Sequence, residues 1–130
     1  MSKKIPADHV RIKRAYEAPE PGDGVRILID RLWPRGVKKE ALALDDWNKD
    51  LSPSTELRQW FGHDPALWDG FRTRYTQELR THAAALAALQ NRAQHEVITL
   101  VYSAHDEAHN NAVLVRELLL DPRGLEAALG

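Results

Sequence analysis

The sequence predicts a single α/β domain with a mostly parallel sheet covered by helices, and three observations predict it. Two short segments rich in β-branched residues, Val25 to Arg31 and Glu96 to Tyr102, have the apolar density of strands buried inside a sheet. Between them runs a long stretch whose apolar residues recur at helical spacing, and parallel neighbours need a crossover of that kind. Both strand segments end in polar residues, Asp30 and Arg31 in one and Ser103, His105 and Asp106 in the other. Two parallel strands deliver such ends to one edge of the sheet, where open α/β domains hold ligands.

Taken in order, residues 1–9 read as a loose N-terminal tail, and Val10, Ile12 and Tyr16 mark a first strand interleaved with Arg11, Lys13 and Arg14. Ala18 to Gly24 is dense in turn formers and leads into the central strand. There Val25, Ile27 and Ile29 alternate with Arg26, Leu28 and Asp30, and a polar turn stiffened by Trp33 and Pro34 follows. Lys38 to Glu40 opens a short helix; Ala41 to Trp47 is ambiguous between a short strand and irregular chain. Ser52 before Pro53 reads as a helix start, since the hydroxyl accepts from a free N–H and the proline forgoes only an unpartnered donor. Leu57, Trp60 and Phe61 are then the stripe of a helix ending near Gly62. Asp64-Pro65 repeats the start signal, and Trp68, Phe71, Tyr75, Leu79, Leu86 and Leu89 predict one amphipathic helix of roughly 25 residues. After the second buried strand, Ala112, Val115 and Leu119 share a face of a helix that stops before Asp121-Pro122, and Leu125 to Leu129 reads as a last short helix.

The 130 residues suit one domain that buries roughly two-thirds of its unfolded surface. A net charge of -1 gives no global field for nucleic acid or anionic membrane, so nucleic-acid binding would need a local basic patch. With no cysteine there is no thiolate nucleophile or thiolate-held metal, which fits a cytoplasmic protein. No apolar run reaches the length of a membrane span.

The order VRILIDRLWPRG, LSPSTELRQWF, FRTRYTQEL and ITLVYSAHDEAHNNAVLVRELL resembles the YeaO-like family of bacterial proteins of unknown function, from Val10 to Leu120. The DRLWPRG and SPSxELRxWF stretches carry the resemblance. It implies a small soluble α/β domain and supplies no mechanism. His105 departs from the family pattern, which usually has lysine there, and so puts an imidazole in place of an ammonium group.

The candidate chemistry lies in two constellations. Arg31, Arg35 and Arg58, if convergent, offer planar donors suited to phosphate or carboxylate; equally, Arg31 or Arg35 pairs with Asp30 as a local ion pair. Arg58 stands near the positive end of its helix, where a cation calls for an anionic partner. Ser54, at the same helix start, either contacts a ligand or caps. Asp30 is the candidate acid or base, weakened as a base by flanking arginines. Trp33 either stacks on a ligand or anchors its loop. In YSAHDEAHNN, His105 and His109 are spaced like helical zinc ligands, but Asp replaces the expected Glu and no third ligand suggests itself, so no metal is expected. Asn110 is a ligand-orienting candidate, and Tyr102 reads as acid, stacking platform or core.

The leading expectation is therefore an enzyme-like pocket for a phosphate- or carboxylate-bearing small molecule or nucleotide at the strand ends. Asp30 would be its reactive or orienting group, with Arg31, Trp33, Arg35, Ser54, Arg58, Tyr102, His105 and Asn110 around the ligand. The alternative is a non-catalytic module that meets nucleic acid or a partner protein through Arg11, Lys13, Arg14, Lys38 and Lys39. No cofactor, reaction or oligomeric state follows from the sequence.

Overall fold

Every residue of β4, Ile98–Tyr102, is buried, because this strand is flanked on both sides and covered on both faces. The computed structural model describes residues 5–121. Along one side of β4 runs β1, Val10–Arg14, paired from Val10 with Ile98 to Arg14 with Tyr102. Along the other runs β2, Val25–Leu28, paired from Val25 with Ile98. A two-residue strand, β3, Asp46–Trp47, adds to the outer side of β2. All these pairings are parallel and the order is β1-β4-β2-β3. The two segments expected at the centre occupy it, running the same way.

The register sorts side chains by face. Val10, Ile27, Ile29, Ile98, Leu100 and Tyr102 join the main core. They pack there with residues of α2 (Thr55–Phe61), α3 (Trp68–Arg80), α4 (Ala83–His95) and α5 (Asn111–Leu120). The opposite face carries a small cluster of Ala15, Leu28, Val101 and Leu42 of α1 (Lys39–Leu42), with Trp33 and Trp47 against it. It also carries an ionic group: Asp23 is 1% exposed, Arg26 4% and Lys13 7%. Asp23 Oδ2 lies 2.6 Å from Arg26 Nη1 and 3.3 Å from Lys13 Nζ, and Arg26 Nε and Nη2 both donate to Leu42 O.

Some boundaries differ from the sequence reading. The stretch expected as one helix from Trp68 to Leu89 is two, broken at Thr81 and His82. Thr81 Oγ1 donates back to Glu78 O, and both halves keep their apolar stripe toward the same core, so periodicity alone does not register the break. The cap of α2 is Ser54, whose Oγ accepts from Leu57 N; Ser52 instead donates to Asn48 O. The described part of the expected tail is tied down: Ile5 is buried, Ala7–His9 form a 3₁₀ turn, and His9 Nδ1 donates to Ala93 O at 2.6 Å. The helix expected over Leu125 to Leu129 lies outside the described residues.

The chain leaves the two central strands in opposite directions. β4 leads into α5, which packs on β4 and β1, whereas β2 leads through α1 to β3 on the other side. Adjacent parallel strands that diverge in this way open a crevice at their carboxyl ends.

Candidate functional site

Asp30 follows β2 at that crevice and ties its walls together. Its Oδ2 accepts from Ser103 N at 2.8 Å, just beyond β4, and its Oδ1 accepts from Asn111 Nδ2 at 3.3 Å, at the start of α5. Its carbonyl accepts from Trp47 Nε1 at 2.6 Å, beside β3. Burial pushes the carboxyl above its usual range. The Ser103 amide and hydroxyl, the nearby charge of Arg58 and the Asn111 amide pull it down by less. The sequence reading, in which flanking arginines lower this group, is thus reversed: neither Arg31 nor Arg35 forms an ion pair with it.

A cleft of about 900 Å³ opens over these strand ends. Asp30, Trp33, Arg35, Arg58, His105 and Asn110 line it; Arg31, Ser54 and Tyr102 do not. Arg31 turns toward α2, where its Nε donates to Pro53 O at 3.2 Å. Ser54 is occupied as a cap, and its N and Oγ also donate to the Glu78 carboxylate. Tyr102 follows Ile98 and Leu100 on the helix-covered face, as strand alternation requires, and is buried in the core.

The remaining residues are held from several elements. Trp33 Nε1 donates to Val37 O at 2.6 Å and its ring meets Trp47 edge-on, so the indole anchors its loop while lining the cleft. Arg14 Nε donates to Ala104 O and its Nη2 lies 3.1 Å from His105 Nδ1. A guanidinium only donates, so His105 Nδ1 accepts here. Asn110 caps α5: its Oδ1 accepts from Val113 N and its Nδ2 donates to Asp106 O. Asp106 closes the turn before this cap by accepting from Ala108 N and His109 N. Among the described residues no group of three or more His, Asp or Glu side chains is placed to hold a metal ion.

Ser103, Asp106, His109, Asn111, Phe61, Phe71 and His63 also line it, and Tyr16, Leu32, Pro34, Pro53 and Ala104 complete the wall. The DRLWPRG and HDEAHNN stretches each announced a polar strand end. Nothing local announced His63 or the two phenylalanines, which reach the cleft only through the packing of α2 and α3 against the sheet.

Among the described residues no helix is long and apolar enough to cross a membrane. The family model described as "Inactive DUF488-N3 subclade" matches residues 9–127. The chain is 42% identical over 111 residues to the uncharacterized protein YeaO of Escherichia coli (strain K12), covering 85% of this chain and 96% of that one. It is 41% identical over 110 residues to the uncharacterized protein Rv3073c of Mycobacterium tuberculosis (strain ATCC 25618 / H37Rv), covering 85% and 92%. The same figures hold for the uncharacterized protein Mb3100c of Mycobacterium bovis. No solved structure matches the chain. The motifs, the parallel sheet and these relatives agree, and the chain belongs to the YeaO-like family, in the group described as the inactive DUF488-N3 subclade.

Proposed function

We propose that the cleft over the ends of β2 and β4 binds an anionic small molecule bearing phosphate or carboxylate, with Arg58 and Arg35 as its cationic contacts. One observation carries this reading. Among the described residues, Arg35 and Arg58 are the arginines whose guanidinium groups have no hydrogen bond, ion pair or ring contact, and both line the cleft. The others have partners, as Arg26 has Asp23, Arg72 has Glu117 and Arg74 has the Trp60 ring. Arg58 is half-buried, with the Asp30 charge near it but no hydrogen bond or ion pair, and a partly desolvated guanidinium with its donors unmet favours an anion. A second cavity, about 520 Å³ between β3 and α4, differs in this respect: its Lys49 lies over Trp47 and its Arg92 pairs with Glu96.

The description of the family as inactive supports recognition without turnover, with Asp30 an orienting group. Proton exchange by Asp30 is the second reading, favoured by the upward shift of its carboxyl. A basic face for nucleic acid has less support. Lys13 is buried against Asp23 and Glu20, Arg11 lies against Gly22 O and Asp23, and Arg14 is engaged with Ala104 and His105. The absence of cysteine is in keeping with a cytoplasmic location for such a protein.

A thermal-shift panel of phosphorylated metabolites, nucleotides and carboxylates tests the reading. At least one compound is expected to raise the melting temperature of the wild type, and less so in Arg58→Ala and Arg35→Ala. Variants that keep every wild-type shift overturn it.

A further inference from the structure

The cleft is larger and chemically more varied than an anion alone requires. Its volume of about 900 Å³ lies in the upper part of the roughly 300–1,000 Å³ typical of sites for whole small molecules. Beside its two cations stand groups that accept hydrogen bonds. Asp30 presents two carboxylate oxygens, held by the Ser103 amide and hydroxyl and by Asn111 Nδ2, and the two oxygens have room for a further donor. The second acceptor is His109, which the sequence reading left out of the site. Its Nδ1 lies 2.9 Å from Asp106 Oδ2, and its ring stands edge-on to Trp68 at 5.3 Å.

That contact fixes more than the ring's position. A carboxylate only accepts, so Nδ1 carries a proton, and in the neutral ring Nε2 is left with the lone pair. Asp106 is well placed to impose this. The amides of Ala108 and His109, together with the imidazole, hold its carboxyl below the usual range, so it stays ionised. An anion beside Asp106 is repelled, whereas one near Arg35 and Arg58 is attracted. The complementary ligand therefore has two ends, one anionic and one rich in O–H or N–H donors.

Building on the anion-binding reading, we propose that the ligand is a phosphorylated sugar, free or within a nucleotide, and that His109, oriented by Asp106, accepts a hydrogen bond from one of its hydroxyls. The phosphate lies toward Arg35 and Arg58; the hydroxyls face Asp30 and His109.

Calorimetric titration of the full chain with inorganic phosphate, ribose 5-phosphate and AMP tests this. Ribose 5-phosphate or AMP is expected to bind at least about tenfold more tightly than phosphate, the gain from adding hydrogen bonds of ordinary strength. A further gain for AMP over ribose 5-phosphate identifies the nucleotide as the source; equal affinities identify the free sugar phosphate. His109→Phe, which keeps a ring against Trp68, is expected to weaken the sugar phosphates roughly three- to tenfold and leave inorganic phosphate unchanged. Asp106→Asn keeps an oxygen for the two backbone amides and turns an N–H₂ toward His109, moving the ring proton to Nε2. Nitrogen NMR of the imidazole reads that change directly, and the same selective loss should accompany it. Sugar phosphates that bind no better than phosphate, or His109 and Asp106 variants that bind them as the wild type does, overturn the inference and leave anion binding standing. Failure of all three probes to bind the wild type overturns the inference, and a thermal-shift panel in which no carboxylate shifts the wild type either overturns the anion reading with it.

Discussion

Asp23 and Asp30 flank β2, one before its first residue and one after its last, and their carboxyls are pushed in opposite directions. Burial alone would raise Asp23, but the Glu20 amide and the Lys13 and Arg26 side chains outweigh it and hold the group low. A lowered carboxyl contributes stability above its unfolded value, and that contribution is lost as pH falls through the folded value. Asp23→Asn leaves the buried Arg26 without its carboxylate and Lys13 with Glu20 alone, and should cost about 3–5 kcal/mol in denaturant unfolding at neutral pH. It should also remove part of the wild type's acid-induced loss of stability. For Asp30 the sign is reversed. Its raised carboxyl favours the fold below the unfolded value, and that advantage disappears as pH rises through the folded value. The wild type's stability relative to Asp30→Asn should therefore be greatest in acid and decline toward neutrality, as melting curves across pH will show. The sequence displayed both aspartates, yet Asp30 is raised by a burial that only the folded chain creates, among partners 73 and 81 residues away, and Asp23 is lowered by its contacts with Glu20, Lys13 and Arg26. An alternating pattern shows Arg26 as one of a strand's polar positions and cannot show that it is 4% exposed.

At the scale of elements, two short local devices hold the strand and the helix that frame the crevice, one at the far end of β2 and one in the cleft wall. Gly24 enters β2 with φ of 61°, and a Cβ there would lie 2.2 Å from Val97 O, the carbonyl that accepts from Val25 N. Gly24→Ala should cost more than about 1 kcal/mol from its left-handed backbone alone, and the backbone clash adds to it; equilibrium unfolding measures the sum. Asn110 holds the amino end of α5 in the cleft wall, so Asn110→Ala should lower stability by about 0.5–2 kcal/mol in the same assay. The β-branched strands, the glycine that ends α2 at φ of 53° and the stop of α5 at Leu120 were legible because each rests on neighbours in sequence. The cap of α2 was misplaced by two residues because Ser52 and Ser54 both precede good helix formers. What separates them is Glu78, 24 positions on, which fixes Ser54.

At the scale of the molecule, a parallel sheet of order β1-β4-β2-β3 explains why residues from five parts of the chain share one cleft. Because the two hydrophobic segments run the same way, Asp30 lies beside Ser103, and Arg35, Arg58, Trp33, His105 and Asn110 line the same cleft. Arg31, Ser54 and Tyr102 lie outside its lining, directed by the turn after Asp30, a cap and strand alternation. The central claim is that Arg35 and Arg58 meet an anion in this cleft. Following the Nε–H resonances of assigned arginine side chains while inorganic phosphate is added tests it most directly. Shifts at Arg35 and Arg58 that saturate together, with Arg26 unmoved, are the predicted result. Saturable shifts confined to other arginines, or none at all, would contradict it.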